Sequence, residues 1–264
     1  MIAQRFNISD SIHSTAIVDA SSQLGKNVVV GAYTVIEPGV IIGEGTFIGN
    51  HVTISEGSKI GNDCKIFHSS SIGAIPQDLK YENEKTFVSI GDRTIIREFV
   101  TINKGTSASG KTLVGADCLL MASVHIAHDC MVGNNVIMSN LTTLGGHVNI
   151  ENWAILSGGV LVHQFCNVGE HSFVGASGLV TQDVPPFILA AGTPLEYSGI
   201  NSVGLKRRGF SSEDRKEIKS IYKIYFRSKN NRKENLSKIE KELMDSRLAK
   251  KIIKFIENSD RGII

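Results

Sequence analysis

One register dominates this sequence: an aliphatic side chain returns every six residues from Ile12 to Val180. Of the 29 positions in that register, 26 are Ile, Leu, Val or Met, where a chain that is 41 % hydrophobic would place about 12. The exceptions are Asp78, Glu84 and Ala108. A period of six suits neither an α-helix nor a flat hairpin sheet. It suits short strands joined by corners. Glycine often follows the aliphatic residue, as at Gly25, Gly43, Gly115 and Gly133, which predicts tight corners there. Four residues after the aliphatic comes a small or β-branched side chain, such as Thr34, Thr46, Val124 or Ala154. Two side chains of every six therefore point inward. When three faces close one coil, residues 18 apart stack at about 4.8 Å. The repeat is long enough for about eight or nine coils.

The register breaks at 73–89 and 103–113, which read as loops leaving the wall of the solenoid. It stops after Pro185-Pro186, so residues 1–190 are expected to form the β-helix. Residues 187–204 read as a linker, and the block 191–264 is expected to hold linker and a C-terminal α-helical domain. Ser211-Ser212-Glu213-Asp214 has the form of a helix start. Helices are predicted over 212–228, 233–244 and 247–258, the first burying Ile218, Ile221, Tyr222 and Tyr225.

The net charge of +2 conceals an asymmetry: residues 201–264 hold 18 Lys and Arg against 9 Asp and Glu, leaving 10 against 17 for residues 1–200. A basic tail on an acidic body suits an acidic or phosphate-bearing partner, or simply solvated helix faces. No apolar run approaches the ~18–20 residues that span a bilayer. Residues 1–7 lack the basic and apolar segments of a secretory signal. The expectation is a cytoplasmic protein without stable membrane insertion and without a nucleic-acid partner.

Cys64, Cys118, Cys130 and Cys166 are separated by multiples of six and fall at the inward small-residue position. They are expected to be reduced thiols packed in the core, not metal ligands. The histidines differ. Counted modulo 18, His125, His128, His147 and His163 lie at 17, 2, 3 and 1, which gathers them on one edge of successive coils. His171 lies at 9, on another face. A histidine cluster suits general-base chemistry near neutral pH. It also suits zinc, as in lyases of the γ-carbonic anhydrase type. Gly146, one full coil after His128, would put a backbone N–H beside it, as acyl transfer requires for its oxyanion. Asp129 could orient His128 only if the chain bends between them. A solenoid scaffold without chemistry is the third reading.

Several segments are more specific than the repeat: Ile75-Pro76-Gln77-Asp78-Leu79-Lys80-Tyr81, His125-Ile126-Ala127-His128-Asp129-Cys130, Gly145-Gly146-His147-Val148, Val162-His163-Gln164-Phe165-Cys166, Gln182-Asp183-Val184-Pro185-Pro186 and Gly204-Leu205-Lys206-Arg207-Arg208-Gly209-Phe210. In these, and in their order, the chain resembles the UDP-N-acetylglucosamine O-acyltransferases that open lipid A biosynthesis. The resemblance implies a left-handed parallel β-helix and a homotrimer with sites between subunits. It implies transfer of an (R)-3-hydroxyacyl group from acyl carrier protein to the 3-position of UDP-N-acetylglucosamine, without cofactor or metal. On the matching positions His128 would be the base, Asp129 its orienting partner and the Gly146 amide the oxyanion donor. Gln77, Asp78, Lys80, His125, His147, His163 and Gln164 would line the cleft. Asn201, Arg207 and Arg208 would meet the nucleotide or the carrier's phosphate. Phe173 and Ala176 would limit acyl length. Asn103, Pro194 and Val203 depart from residues common in the family, which leaves a 3-hydroxyl or a 3-amine acceptor open.

Overall fold

The computed structural model describes residues 11–228, 231–243 and 245–264. The opening segment read for a signal lies outside these, as does Met244. The six-residue register closes into a left-handed parallel β-helix of three sheets. The first sheet has nine strands, from Ile17–Val18 to Leu179–Val180, and the second eight, from Gln23–Leu24 to Asn167–Val168. The third has ten, beginning at Val29–Val30. Most strands are two residues long, one buried and its neighbour facing outward. The aliphatic column from Val30 to Val180 and the four free cysteines form one continuous core. Burial raises the thiol pKa values, to about 11 at Cys118 and about 12 at Cys130.

The corners work differently from the sequence expectation. The residue that takes the left-handed conformation is not the one after the aliphatic but the one two places further on. Asn27, Tyr33, Asp63, Phe99, Asp129, Leu141 and Trp153 all sit there, with φ between +54° and +65°. The glycine after the aliphatic serves a different need. A Cβ on Gly115 would lie 2.6 Å from the backbone of Gly133, and one on Gly43 2.5 Å from Gly61. Glycine is there because the next coil's backbone leaves no room for a side chain.

Both excursions begin and end on the same pair of sheets. In an unbroken coil the paired residues stand three repeats apart, as Ile36 and Ile54 do. Ile72 pairs instead with Ile102, five repeats on, and Ile90 with Val114, four repeats on. The first loop thus adds two repeats and the second adds one, and whole repeats preserve the register. The loops are narrower than the breaks in the aliphatic series. Strands Ser71–Ala74, Phe87–Ile90, Thr101–Asn103 and Lys111–Val114 keep pairing through polar residues, leaving 75–86 and 104–110 between them.

The expected linker at 187–204 is instead structured. Strand Ile188–Ala191 joins the third sheet in parallel, and Glu196–Ile200 folds back on it antiparallel. Val174 pairs with Ala190, where a full coil would have brought up Gly192. Val162 still pairs with Val180 a full coil on, but Val168 meets Val184 only 16 residues on, so the register slips by two between these points, ahead of Pro185-Pro186, and hides the strand from a count by six. Four helices follow among the described residues: α1 (Ser202–Arg207), α2 (Ser212–Arg227), α3 (Arg232–Glu242) and α4 (Arg247–Glu257). Ser211 caps α2 in a reciprocal box with Asp214. Its predicted face of Ile218, Ile221, Tyr222 and Tyr225 is buried, and the Tyr222 hydroxyl donates to the Pro186 carbonyl at 2.6 Å. No helix among the described residues is long and apolar enough to cross a membrane.

Candidate active site

The corner between the first and second sheets carries both excursions. On the three coils that follow, the same corner carries His128, then Gly146 and His147, then His163 to Phe165. Counting by 18 works here because both insertions precede this stretch.

The chain does bend between His128 and Asp129. Asp129 occupies the left-handed corner position, with φ at +59°, and its side chain folds back so that Oδ2 lies 2.8 Å from His128 Nδ1. The carboxylate is buried and surrounded by donors from the second excursion. The Thr106 amide donates to Oδ1 at 3.0 Å, the Thr106 hydroxyl to Oδ2 at 2.6 Å, and the Ser109 hydroxyl to Oδ1. Burial works to raise the Asp129 pKa, but the hydrogen bonds from Ser109, Thr106 and His128 outweigh it and hold the carboxyl well below the usual range. An ionised carboxylate can only accept, so the contact places a proton on His128 Nδ1, and in the neutral imidazole the lone pair is then on Nε2.

Gly146 packs closely against the His128 ring. A Cβ there would sit 2.7 Å from His128 Nε2. At corners of the second and third sheets, the equivalent amides of Glu44, Ala116 and Asn134 are each taken by an asparagine side chain one coil on. At Gly146 the residue one coil on is Gln164, and no acceptor among the described residues takes the Gly146 N–H. An imidazole and an amide with no acceptor among the described residues therefore stand side by side.

The other histidines surround this pair. The His147 ring meets His128 edge-on at 5.1 Å and stacks on Phe165 at 4.5 Å, with Nε2 3.7 Å from Asp129 Oδ2. His125 faces outward from its strand, 2.7 Å from the Thr101 hydroxyl, and burial lowers its pKa. His163 and Gln164 are exposed at the rim, where Arg261 from the C-terminal segment reaches within 3.2 Å of His163 Nδ1. Gln77, Asp78 and Lys80 lie on the first excursion, which is tied to the second by the Ser107 amide donating to Glu84 at 3.1 Å. Thr106, Ser109, Phe165 and Arg261 were not singled out by the sequence. For Phe165 the signal existed, since Asp129, His147 and Phe165 share one corner position at steps of one coil.

The remaining expected residues lie elsewhere in the chain. Asn201 caps α1, accepting from the Gly204 amide at 3.1 Å and donating to the His171 carbonyl at 2.9 Å. Arg208 lies over the Trp153 ring at 5.1 Å, and Arg207 is exposed beside it. These belong to the corner of the second and third sheets. Phe173 faces outward from the third sheet, and Ala176 is exposed at the corner of the third and first.

His128, Asp129 and His147 bring ligand-type atoms within 4.8 Å of one another. The donor set argues against a cation. A metal on the carboxylate would have to displace the hydroxyls and amide that fill it, whereas a base and its orienting partner use them as they stand.

A family model described as UDP-N-acetylglucosamine O-acyltransferase, domain 2, matches residues 183–264, and one for bacterial transferase hexapeptide repeats matches 21–56. The chain is 50 % identical over 258 residues to an acyl-[acyl-carrier-protein]–UDP-N-acetylglucosamine O-acyltransferase of Herminiimonas arsenicoxydans, covering 96 % of this chain and 98 % of the relative. It is 56 % identical over 218 residues to the protein of that name from Paracidovorax citrulli, covering 82 % and 83 %. The solved UDP-N-acetylglucosamine acyltransferase of Francisella novicida superposes with a TM-score of 0.93 at 40 % identity, over 96 % of this chain and 93 % of that one.

Proposed function

Because the chain belongs to the UDP-N-acetylglucosamine O-acyltransferases, we propose that it moves an (R)-3-hydroxyacyl group from acyl carrier protein to the 3-position of UDP-N-acetylglucosamine, the first step of lipid A biosynthesis. The observation that carries the mechanism is the pairing of His128 Nε2 with the open Gly146 amide. Nε2 takes the proton of the sugar 3-hydroxyl as that oxygen attacks the thioester carbonyl. The tetrahedral oxyanion is held by the Gly146 N–H. Collapse breaks the carbon–sulfur bond, and the pantetheine thiolate recovers the proton from His128. Asp129 keeps the proton on Nδ1 and so keeps Nε2 basic. No covalent acyl-enzyme is needed.

His125, His147, His163 and Gln164 line the cleft, and Gln77, Asp78 and Lys80 approach the sugar nucleotide from the first excursion. Asn201, Arg207 and Arg208 sit at the corner of the second and third sheets, Phe173 on the third sheet and Ala176 at the corner of the third and first, all away from the histidine corner. Both sets can serve one site only when a second subunit supplies one of them, which favours a homotrimer with sites between subunits. The outward column Ile95, Leu119, Ile137, Ile155 and Phe173 gives the third sheet an apolar face suited to that packing. Asn201 would act chiefly by fixing α1, since its amide is used by the fold. A cytoplasmic location fits the reduced cysteines and the soluble donor and acceptor.

The test is an assay of the purified protein with UDP-N-acetylglucosamine, its 3-amino analogue and hydroxyacyl carriers of several lengths, followed by mass spectrometry. Acylated sugar nucleotide is expected. Turnover with neither acceptor would overturn the reading, and turnover with the amine alone would reassign the acceptor.

A further inference from the structure

The second excursion adds one repeat to its coil, and three of its donors converge on a single carboxylate one coil away. Oδ1 of Asp129 receives the Thr106 amide and the Ser109 hydroxyl. Oδ2 receives the Thr106 hydroxyl and His128 Nδ1. The Asp129 amide is itself fixed by donating to the Thr112 hydroxyl at 2.9 Å. Thr106 Oγ1 accepts from the Ala108 amide at 3.2 Å, which directs its own proton towards the carboxylate. Ser109 Oγ also lies 2.9 Å from the Lys111 carbonyl. Its one proton serves a single acceptor, and the ionised carboxylate is the stronger.

We infer that Thr106 and Ser109 are positioning residues for the acyl transfer: they clamp Asp129 so that the His128 proton stays on Nδ1 and the ring stays seated against Gly146. The inference rests on the general-base reading of His128 given above. Its geometric basis is that the carboxylate is left with one place for a fourth donor, on Oδ2, and the imidazole fills it. Without the two hydroxyls the buried carboxylate can rotate. It can then turn to His147, whose Nε2 is already 3.7 Å from Oδ2, and release His128 into a mixture of tautomers. The clamp thereby explains why this excursion exists at the base's own corner. It also separates the loops by role: the first approaches substrate, while the second acts through Asp129.

The experiment compares wild type, Thr106→Val, Ser109→Ala, the double variant, Thr106→Ser and His128→Ala in the full-length enzyme. Steady-state kinetics are measured with UDP-N-acetylglucosamine and acyl carrier, together with thermal melting and the 15N imidazole shifts of His128. The double variant is expected to lose about 10- to 100-fold in kcat, with KM for the sugar nucleotide within about twofold. Its His128 signals should move from the pure Nδ1–H form to a mixture. Thr106→Ser should restore both rate and tautomer. A double variant that melts earlier but keeps its kcat and its tautomer overturns the clamp and leaves only a structural loop. A His128→Ala enzyme as active as wild type would instead remove the general-base reading beneath it.

Discussion

A methyl group on Gly146 would lie 2.6 Å from His128 Cε1 and 2.7 Å from Nε2, far inside contact distance, and Asp129 holds the ring from the other side. The imidazole would have to swing off its line. Gly146→Ala is therefore expected to lower kcat by about 10- to 100-fold through misplacement of the proposed base. The sugar-nucleotide KM should stay within a few-fold and the melting temperature should barely move, because the clash falls on a side chain and not on the next coil. Kinetics alongside a melting curve check this. A Gly146→Ala enzyme with wild-type kcat would mean that the amide and the imidazole do not act on one point. The same residue shows why the sequence could place the site. Positions 128 and 146 are one coil apart, so their juxtaposition follows from arithmetic alone. Thr106 and Ser109 were not legible, because a loop outside the register has no azimuth to count.

The corners are the elements that hold successive coils together, and two kinds of glycine serve them. Gly115 is needed because a Cβ would enter the backbone of Gly133 at 2.6 Å, and a backbone cannot step aside. Gly39 has φ at +68° with nothing within 4 Å of an added Cβ, so only conformational strain opposes a side chain there. Gly115→Ala should cost about 1–3 kcal/mol as overpacking. Gly39→Ala should cost about 1 kcal/mol, the strain of a left-handed alanine. Urea melts of the two variants measure the difference, and equal costs would refute the close-approach account. The core column, the buried cysteines and the face of α2 were legible because each follows a strict period. The left-handed position was not, since Tyr33, Asp63, Leu141 and Trp153 occupy it alike. The hairpin at 188–200 was also hidden, because a slip of the register erases the only signal so short a strand carries.

At the scale of the whole molecule, two of the joints that fasten the helical tail to the solenoid each make a prediction. The first is Asp183, fully buried, which accepts from the Asn167 amide at 2.7 Å and from the Ser259 hydroxyl at 2.7 Å. Its backbone also pairs with Gly262 and Ile264, which brings Arg261 to the rim of the histidine corner. Asp183→Ala leaves those part-buried donors without their acceptor, at about 1–3 kcal/mol. Limited proteolysis should then release the C-terminal residues before the solenoid is cut. A tail that stays resistant would show that the joint does not depend on this carboxylate.

The second joint is His171, whose ring stacks between Trp153 at 6.1 Å and Phe187 at 5.8 Å, with Phe210 edge-on at 5.0 Å. Burial lowers its pKa to about 4, and the charges of Arg208 and Lys251 push the same way. Arg208 also donates to Nδ1 at 3.3 Å, which only an unprotonated nitrogen accepts. The folded chain therefore holds this imidazole neutral while the unfolded chain protonates it near 6.5. Its stabilising contribution is complete above that value and is lost as the pH falls towards about 4. The ring is partly exposed, so about 1–2 kcal/mol is at stake after screening. Urea melts at pH 7.5 and 4.5 should show this loss, and His171→Gln should shrink it because glutamine does not titrate. Asp129 is also held below its own reference, but its contribution is lost only below the ordinary carboxylate range, so it cannot mimic a loss between pH 7.5 and 4.5. If the two proteins lose stability in parallel over this interval, the acid sensitivity of the joint lies in some other group.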